Sequence, residues 1–194
     1  MRVIGLTGGV GSGKSRVLNI LKEEYGAYVL VADTIAHQLM EPPMEGYQAV
    51  VAALGDQILN QEGIIDKSVL SKLIFNDDKV RLTVNSIIHP LVWNYIEREI
   101  ITSQAELIVV EFAIMDRERN KSYDEMWYVY TTRENRIRRL YENRGYTRER
   151  TEQIMASQSS EEEFRSACDR VIDNNGTIDE LRAQLEAILG SRGQ

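Results

Sequence analysis

The chain of 194 residues contains one cysteine and two histidines. Cys168 has no second thiol with which to close an internal disulfide, and two histidines with one cysteine are too few for a protein-built zinc site. No run approaches the roughly 18 apolar residues of a membrane-spanning helix, and the N-terminus lacks the apolar stretch of a signal peptide. Basic charge is also scarce. With 23 Lys and Arg against 30 Asp and Glu, the net charge is -7, which argues against non-specific attachment to nucleic acid through phosphate neutralisation. Internal repeats and low-complexity tracts are missing as well. What remains is an ordinary globular composition, expected in the cytoplasm, with length enough for one well-buried core and a smaller appended lobe.

Near the start stands GLTGGVGSGKS, residues 5–15, in which residues 8–15 satisfy G-x-x-x-x-G-K-[ST]. A phosphate chain is concentrated negative charge, and backbone N–H groups wrapped into a concavity bind it when no side chain blocks the approach. Gly8, Gly9, Gly11 and Gly13 leave the backbone bare, Lys14 can reach the β and γ phosphates, and the Ser15 hydroxyl suits Mg²⁺. The context is the required one. Residues 3–6 read as a buried strand, while Val17, Leu18, Leu21 and Tyr25 share a helix face that ends at Gly26. The loop is therefore read as a nucleoside triphosphate site.

Further β-rich runs stand at residues 28–32, 107–110, 126–130 and 170–172, separated by helical patterns. That alternation predicts an α/β fold with a five-stranded parallel sheet flanked by helices, and ligands at the carboxyl ends of its strands. Between the second and third strands lie some seventy residues with no convincing strand, an inserted helical substrate region. After the fourth strand, residues 133–150 hold seven arginines against three glutamates, a net +4 that leaves -11 on the rest. Thr131 with Glu134 fits a capping box, Ile137, Leu140 and Tyr141 make an apolar stripe, and Gly145 ends the helix. Ser160 with Glu163 and Thr177 with Glu180 open two more helices, the last buried through Leu181, Leu185 and Ile188.

Several side chains admit two readings. Asp33, at the end of the second strand, is placed either to take the proton of a substrate hydroxyl near the γ-phosphate or to cap a helix beginning at Thr34. Glu111 could assist Mg²⁺ through water or simply end its strand. About two of the seven arginines are expected on ligand, with Arg144 first among them and Arg148 left to solvent. His89 before Pro90 predicts a helix end, and Asn174-Asn175-Gly176 a turn placed to meet an adenine ring.

Taken in order, GLTGGVGSGKS, VADTIAHQL from Val31, HPLV from His89, RRLYENRGY from Arg138, IMASQ from Ile154 and CDRVIDNNG from Cys168 make the chain resemble the dephospho-CoA kinase family over nearly its whole length. The resemblance implies a P-loop kinase fold with a nucleotide core (residues 1–33, 106–132 and 168–194), a helical CoA-binding region (34–105) and a helical lid (133–167). It implies transfer of the ATP γ-phosphoryl group to the ribose 3′-hydroxyl of dephospho-CoA with Mg²⁺. Carried over by position, Gly11, Ser12, Gly13, Lys14, Ser15 and Arg16 are the ATP segment and Arg139 and Arg144 the lid arginines; Gly8 of the loop and the turn residues Asn174 and Gly176 complete the expected ATP site. Asp33 is the catalytic carboxylate, aided by Lys14 and Arg144. His37 and His89 join Asp33 on the acceptor, and Ser15 holds the metal.

The chain departs from the family pattern at Val31, where an acidic residue often stands, at Trp93, where a basic one often follows HPLV, and in FAIMDR, whose Asp116 is given no acidic role. A monomer is expected, with weak oligomers as the alternative, and neither nucleic acid nor membrane as partner. Two other functions share the loop: another small-molecule or nucleotide kinase, and an inactive ATP-binding sensor. A GTP switch does not fit, because Asn120-Lys121-Ser122-Tyr123 lacks the aspartate of N-K-x-D and Asp173-Asn174-Asn175-Gly176 comes too late in the chain.

Overall fold

The computed structural model describes residues 1–113 and 123–190; residues 114–117 of FAIMDR, Asp116 among them, and Asn120, Lys121 and Ser122 lie outside the described residues. Strands β1 (Arg2–Thr7), β2 (Tyr28–Val31), β3 (Leu107–Glu111), β4 (Glu125–Tyr130) and β5 (Arg170–Asp173) form one sheet in the order β2-β3-β1-β4-β5. Both neighbours of β1 run parallel to it, with Ile4 opposite Val109 on β3 and Glu125 on β4, and β5 runs parallel to β4. The central strands are apolar on both faces, burying Ile4, Leu6, Ile108, Val110, Trp127 and Val129. Because β3 and β4 flank β1 yet follow it far along the chain, the connections leaving β1 and β3 diverge. The crevice beyond the carboxyl end of β1 is where such sheets bind ligands.

Contacts divide the chain into two compact units, Met1–Leu30 together with the chain from Gln104 onward, and Val31–Ser103. In the first, α1 (Lys14–Tyr25) follows β1 and buries Val17, Leu18, Ile20 and Leu21. The second unit is helical: α2 (Ala32–Leu39), α3 (Glu45–Leu54), a 3-10 turn (Asp56–Ile58), α4 (Lys67–Asn76) and α5 (Asp78–Thr102). Val84, Ile88, Val92 and Ile96, four residues apart, give α5 a buried stripe, and α2, α3 and α4 all pack against this helix. The first unit resumes with α6 (Arg133–Arg144), α7 (Arg148–Ala156), α8 (Glu161–Ala167) and, after β5, α9 (Ile178–Leu189). Capping boxes at Ser160–Glu163 and Thr177–Glu180 open α8 and α9 as the sequence indicates.

Local rules failed at five places. Ala32 and Asp33 are not strand: α2 starts at Ala32, so Asp33 sits inside its first turn, and the flanking residue is Val31, which makes no side-chain cap. The helix before Pro90 does not stop there. Proline removes the bond to the Ser86 carbonyl, but Ser86 and Pro90 are exposed, so water reaches that carbonyl while the buried stripe holds α5 together. The cap of α6 is Thr132, whose hydroxyl accepts from the Asn135 N–H, and Thr131 is buried instead. Tyr141 leaves the α6 stripe and is 67% exposed, and Ile188 is only half-buried at the end of α9.

Candidate active site

The loop of residues 8–13 leaves the carboxyl end of β1 and enters α1 through Gly13, whose φ of 87° lies in the left-handed region. A β-carbon there would run into the Asn174 amide, so glycine is required on two counts. Lys14 Nζ folds back to donate to the Gly8 carbonyl at 2.7 Å and stands 3.4 Å from the Glu111 carboxylate. The end of β3 thus meets the loop through an ion pair, with Glu111 itself only 8% exposed. Ser15 and Arg16 occupy the first turn of α1 and are exposed.

The far wall of the loop is knitted to the ends of β4 and β5. The Ser12 carbonyl accepts from Asn174 Nδ2 at 2.8 Å, from Arg139 Nη1 at 3.3 Å and from Thr131 Oγ1 at 2.8 Å. Arg139 Nη2 also donates to the Asn174 carbonyl at 2.7 Å. Burial presses the Arg139 guanidinium below its ordinary value, as it does Arg136, because a charged group leaves water in both cases. Ser12 Oγ and Asn174 Oδ1 are buried without a hydrogen-bond partner among the described residues. At the loop tip, Arg136 Nε donates to the Val10 carbonyl at 2.7 Å, and Gln158 Oε1 accepts from Val10 N and from Arg136 Nη2, both at 3.0 Å.

The structure therefore gathers Gly8, Gly11, Ser12, Gly13, Lys14, Arg139 and Asn174 into one cluster. Arg144 is not in it. It ends α6, exposed, with its guanidinium 6.0 Å from the centre of the Tyr146 ring. Gly176 is exposed in the turn before α9. Arg148 is exposed, as expected, but it also pairs with Glu134 at 2.7 Å and Glu152 at 3.4 Å, and Arg133 pairs with the same two glutamates, stitching α6 to α7. A cavity of about 420 Å³ opens beside this hairpin, lined by Tyr128, Thr131, Arg133, Arg136, Met155 and Ser160 among others.

Asp33, His37 and His89 belong to the helical unit and all three are exposed. No hydrogen bond or ion pair among the described residues engages the Asp33 carboxylate. His37 lines a cavity of about 100 Å³ with Met40, Glu41, Ile65, Lys67 and Leu70, whereas His89 lies midway along α5 and does not. Among the described residues no group of three or more His, Cys, Asp or Glu side chains could hold a metal ion. Ser15, whose hydroxyl has no partner among them, offers a hard oxygen of the kind Mg²⁺ takes alongside nucleotide phosphates. Sequence reasoning missed Arg136, Gln158 and the inward role of Thr131. Their partners lie more than a hundred residues away in Val10 and Ser12, and no local pattern signals such a bond.

The chain is similar to known proteins over nearly its whole length. Residues 2–180 match the model of the dephospho-CoA kinase family. The dephospho-CoA kinase of Geobacter sulfurreducens is 37% identical over 201 residues, covering 99% of each chain. A crystal structure from Thermus thermophilus superposes with a TM-score of 0.81 at 26% identity, covering 100% of this chain and 98% of that one. The dephospho-CoA kinase of Campylobacter jejuni shares the fold with a TM-score of 0.71 at 19% identity, covering 97% of this chain and 96% of that one. From residue 2 to residue 180, then, the chain belongs to the dephospho-CoA kinase family.

Proposed function

We propose that this chain transfers the γ-phosphoryl group of ATP to the ribose 3′-hydroxyl of dephospho-CoA, releasing ADP and coenzyme A in the last step of coenzyme A synthesis. The observation that carries the reading is the reach of the family match. It spans residues 2–180 and so takes in the helical region and the α6–α8 segment, whereas a generic phosphate loop accounts only for β1, the loop and α1.

In this reading the backbone N–H groups of Gly11 to Arg16 hold the phosphates, with Gly8 shaping the loop and Lys14 leaving the Gly8 carbonyl for the β and γ oxygens. The Ser15 hydroxyl would hold Mg²⁺, which would supply positive charge against the negative charge that develops as the phosphoryl group leaves. Asp33 accepts the proton of the 3′-hydroxyl, and its carboxylate has no partner to displace among the described residues. Arg139 and Asn174 set the inner wall beneath the adenine, with Gly176 at its edge, and Arg144 reaches the phosphates as residues 133–167 close as a lid. His37 and His89 contact the acceptor. Ile65 and Leu70 beside Lys67 and Glu41 give the His37 cavity apolar and polar walls that suit a pantetheine arm. Residues 34–105 form the CoA-binding region and residues 1–33, 106–132 and 168–194 the nucleotide core of a monomer working in the cytoplasm.

The reaction is tested by measuring ADP formation from ATP and Mg²⁺ with dephospho-CoA, AMP, CMP, adenosine and pantetheine as separate acceptors. Dephospho-CoA should give the highest kcat/KM, and adenosine should lose kcat as well as affinity, because binding energy from the remote arm helps orient the hydroxyl. Preference for a nucleoside monophosphate indicates a different small-molecule kinase, and nucleotide binding without turnover indicates a sensor.

A further inference from the structure

The phosphate-loop signature requires glycine only at residues 8 and 13, yet this loop carries two more at 9 and 11. The structure gives them a common cause. A β-carbon on Gly9 would collide with the Arg136 guanidinium, and one on Gly11 would crowd the Arg136 carbonyl and Leu140 at 3.1 Å. Helix α6 lies directly against the loop, and the loop is stripped of side chains where it does so.

The contact is a closed triangle of hydrogen bonds. Arg136 Nε donates to the Val10 carbonyl at 2.7 Å, Val10 N donates to Gln158 Oε1 at 3.0 Å, and Arg136 Nη2 donates to the same oxygen at 3.0 Å. The peptide groups on both sides of Val10 are thereby fixed by side chains from two different segments, α6 and the stretch following α7. A loop with positive φ at residues 11 and 13 has a shallow preference for any one shape. Donors on the Ser12 carbonyl fix one end of the loop, and the Arg136 and Gln158 contacts are what set its tip.

We infer that Gln158 is a positioning residue for the nucleotide site: its side-chain carbonyl, braced by Arg136, holds the Val10 peptide so that the following loop N–H groups face the phosphates of a bound nucleoside di- or triphosphate. It does not touch the phosphates itself. The inference rests on the phosphoryl-transfer reading only for its kinetic consequences, since nucleotide binding is measured without an acceptor.

Gln158→Leu removes the acceptor, and Gln158→Glu keeps an oxygen that can accept from both Val10 and Arg136. ADP affinity is measured by calorimetry, and KM for ATP and for dephospho-CoA by steady-state kinetics. Gln158→Leu should weaken ADP and raise KM for ATP by about three- to tenfold, the span of one net hydrogen bond, while KM for dephospho-CoA stays within about twofold. Gln158→Glu should restore most of the loss. Arg136→Lys, which leaves a cation but cannot bridge Val10 and Gln158 together, should resemble Gln158→Leu, and joining the two changes should cost less than the sum. If Gln158→Leu does not fold, Arg136→Lys carries the same test. Unchanged ADP affinity in Gln158→Leu or Arg136→Lys, Leu and Glu variants that behave alike, or an equal rise in both KM values overturns the inference. A wild-type chain that binds ADP but leaves dephospho-CoA unphosphorylated contradicts the proposed reaction instead, and the calorimetry still decides the role of Gln158.

Discussion

Lys14 and Glu111 form an ion pair at 3.4 Å in which neither side chain is more than 17% exposed, and the same ammonium donates to the Gly8 carbonyl at 2.7 Å. The lysine is folded onto its own loop, with its charge held by β3. Lys14→Ala should lower kcat/KM by about 10²- to 10³-fold or more, the loss seen when one stabilising group is removed from a charge-developing site. It should also lower Tm, because the buried Glu111 carboxylate loses the Lys14 ammonium beside it. Circular dichroism together with steady-state rates checks both. Turnover near wild type in the folded variant contradicts the loop assignment.

Asp33→Asn separates chemistry from structure more sharply than the sequence suggests. Asp33 is not the cap of α2, so no capping bond is lost. Only the favourable charge in the first turn goes, about 0.3–1 kcal/mol. The carboxylate's basicity disappears, and kcat should fall by about 10²- to 10⁴-fold. Melting and rates on one sample decide, and an unchanged kcat removes Asp33 from the mechanism.

The strands were legible because buried parallel strands are nearly continuous apolar runs, and each lies within one or two residues of its expected bounds. The capping boxes at Ser160 and Thr177 were legible because both partners sit three residues apart. Pro90 misled because its penalty is local while the support of α5 is not: Ile88 and Val92, on either side of it, are packed among other helices. Within the site, the loop could be read from its spacing together with the strand and helix that flank it. Arg136 could not, since seven arginines crowd residues 133–150 and nothing in their order marks the one that reaches Val10. Gln158, uncharged and outside any helix, gave still less sign of its bond to the loop.

Arg139 and Arg144 should fail in different ways. Arg139 serves three acceptors, the Ser12 and Asn174 carbonyls and the Thr131 hydroxyl, so Arg139→Ala should cost stability of about 1.5–3 kcal/mol as well as nucleotide affinity. Arg144 is exposed at the end of its helix. Arg144→Ala should leave Tm unchanged and lower kcat/KM by about ten- to two-hundredfold, the equivalent of one charge-assisted hydrogen bond. Thermal melts and kinetics on both variants test this, and matching stability losses contradict it.

Stability should depend on acid through Glu125. The Arg170 hydrogen bond, with help from Trp127 and Arg2 and against the opposing effect of burial, holds its carboxyl at about 2, down from 4.5. A carboxyl lowered on folding stabilises the folded state fully above its unfolded value and ceases to do so as pH falls through the folded one. The contribution should therefore fade between about pH 4.5 and 2. Denaturant unfolding across that interval should show a shallower slope in Glu125→Gln than in the wild type, and identical slopes contradict the assignment.

The most direct measurement follows the phosphorus. Incubating the protein with ATP, Mg²⁺ and dephospho-CoA and reading the products by ³¹P NMR should show ADP and one new monoester in equal amounts, with the monoester coupled to the ribose 3′ proton. Phosphate released to water, or a new ester on any other oxygen of the acceptor, contradicts the account.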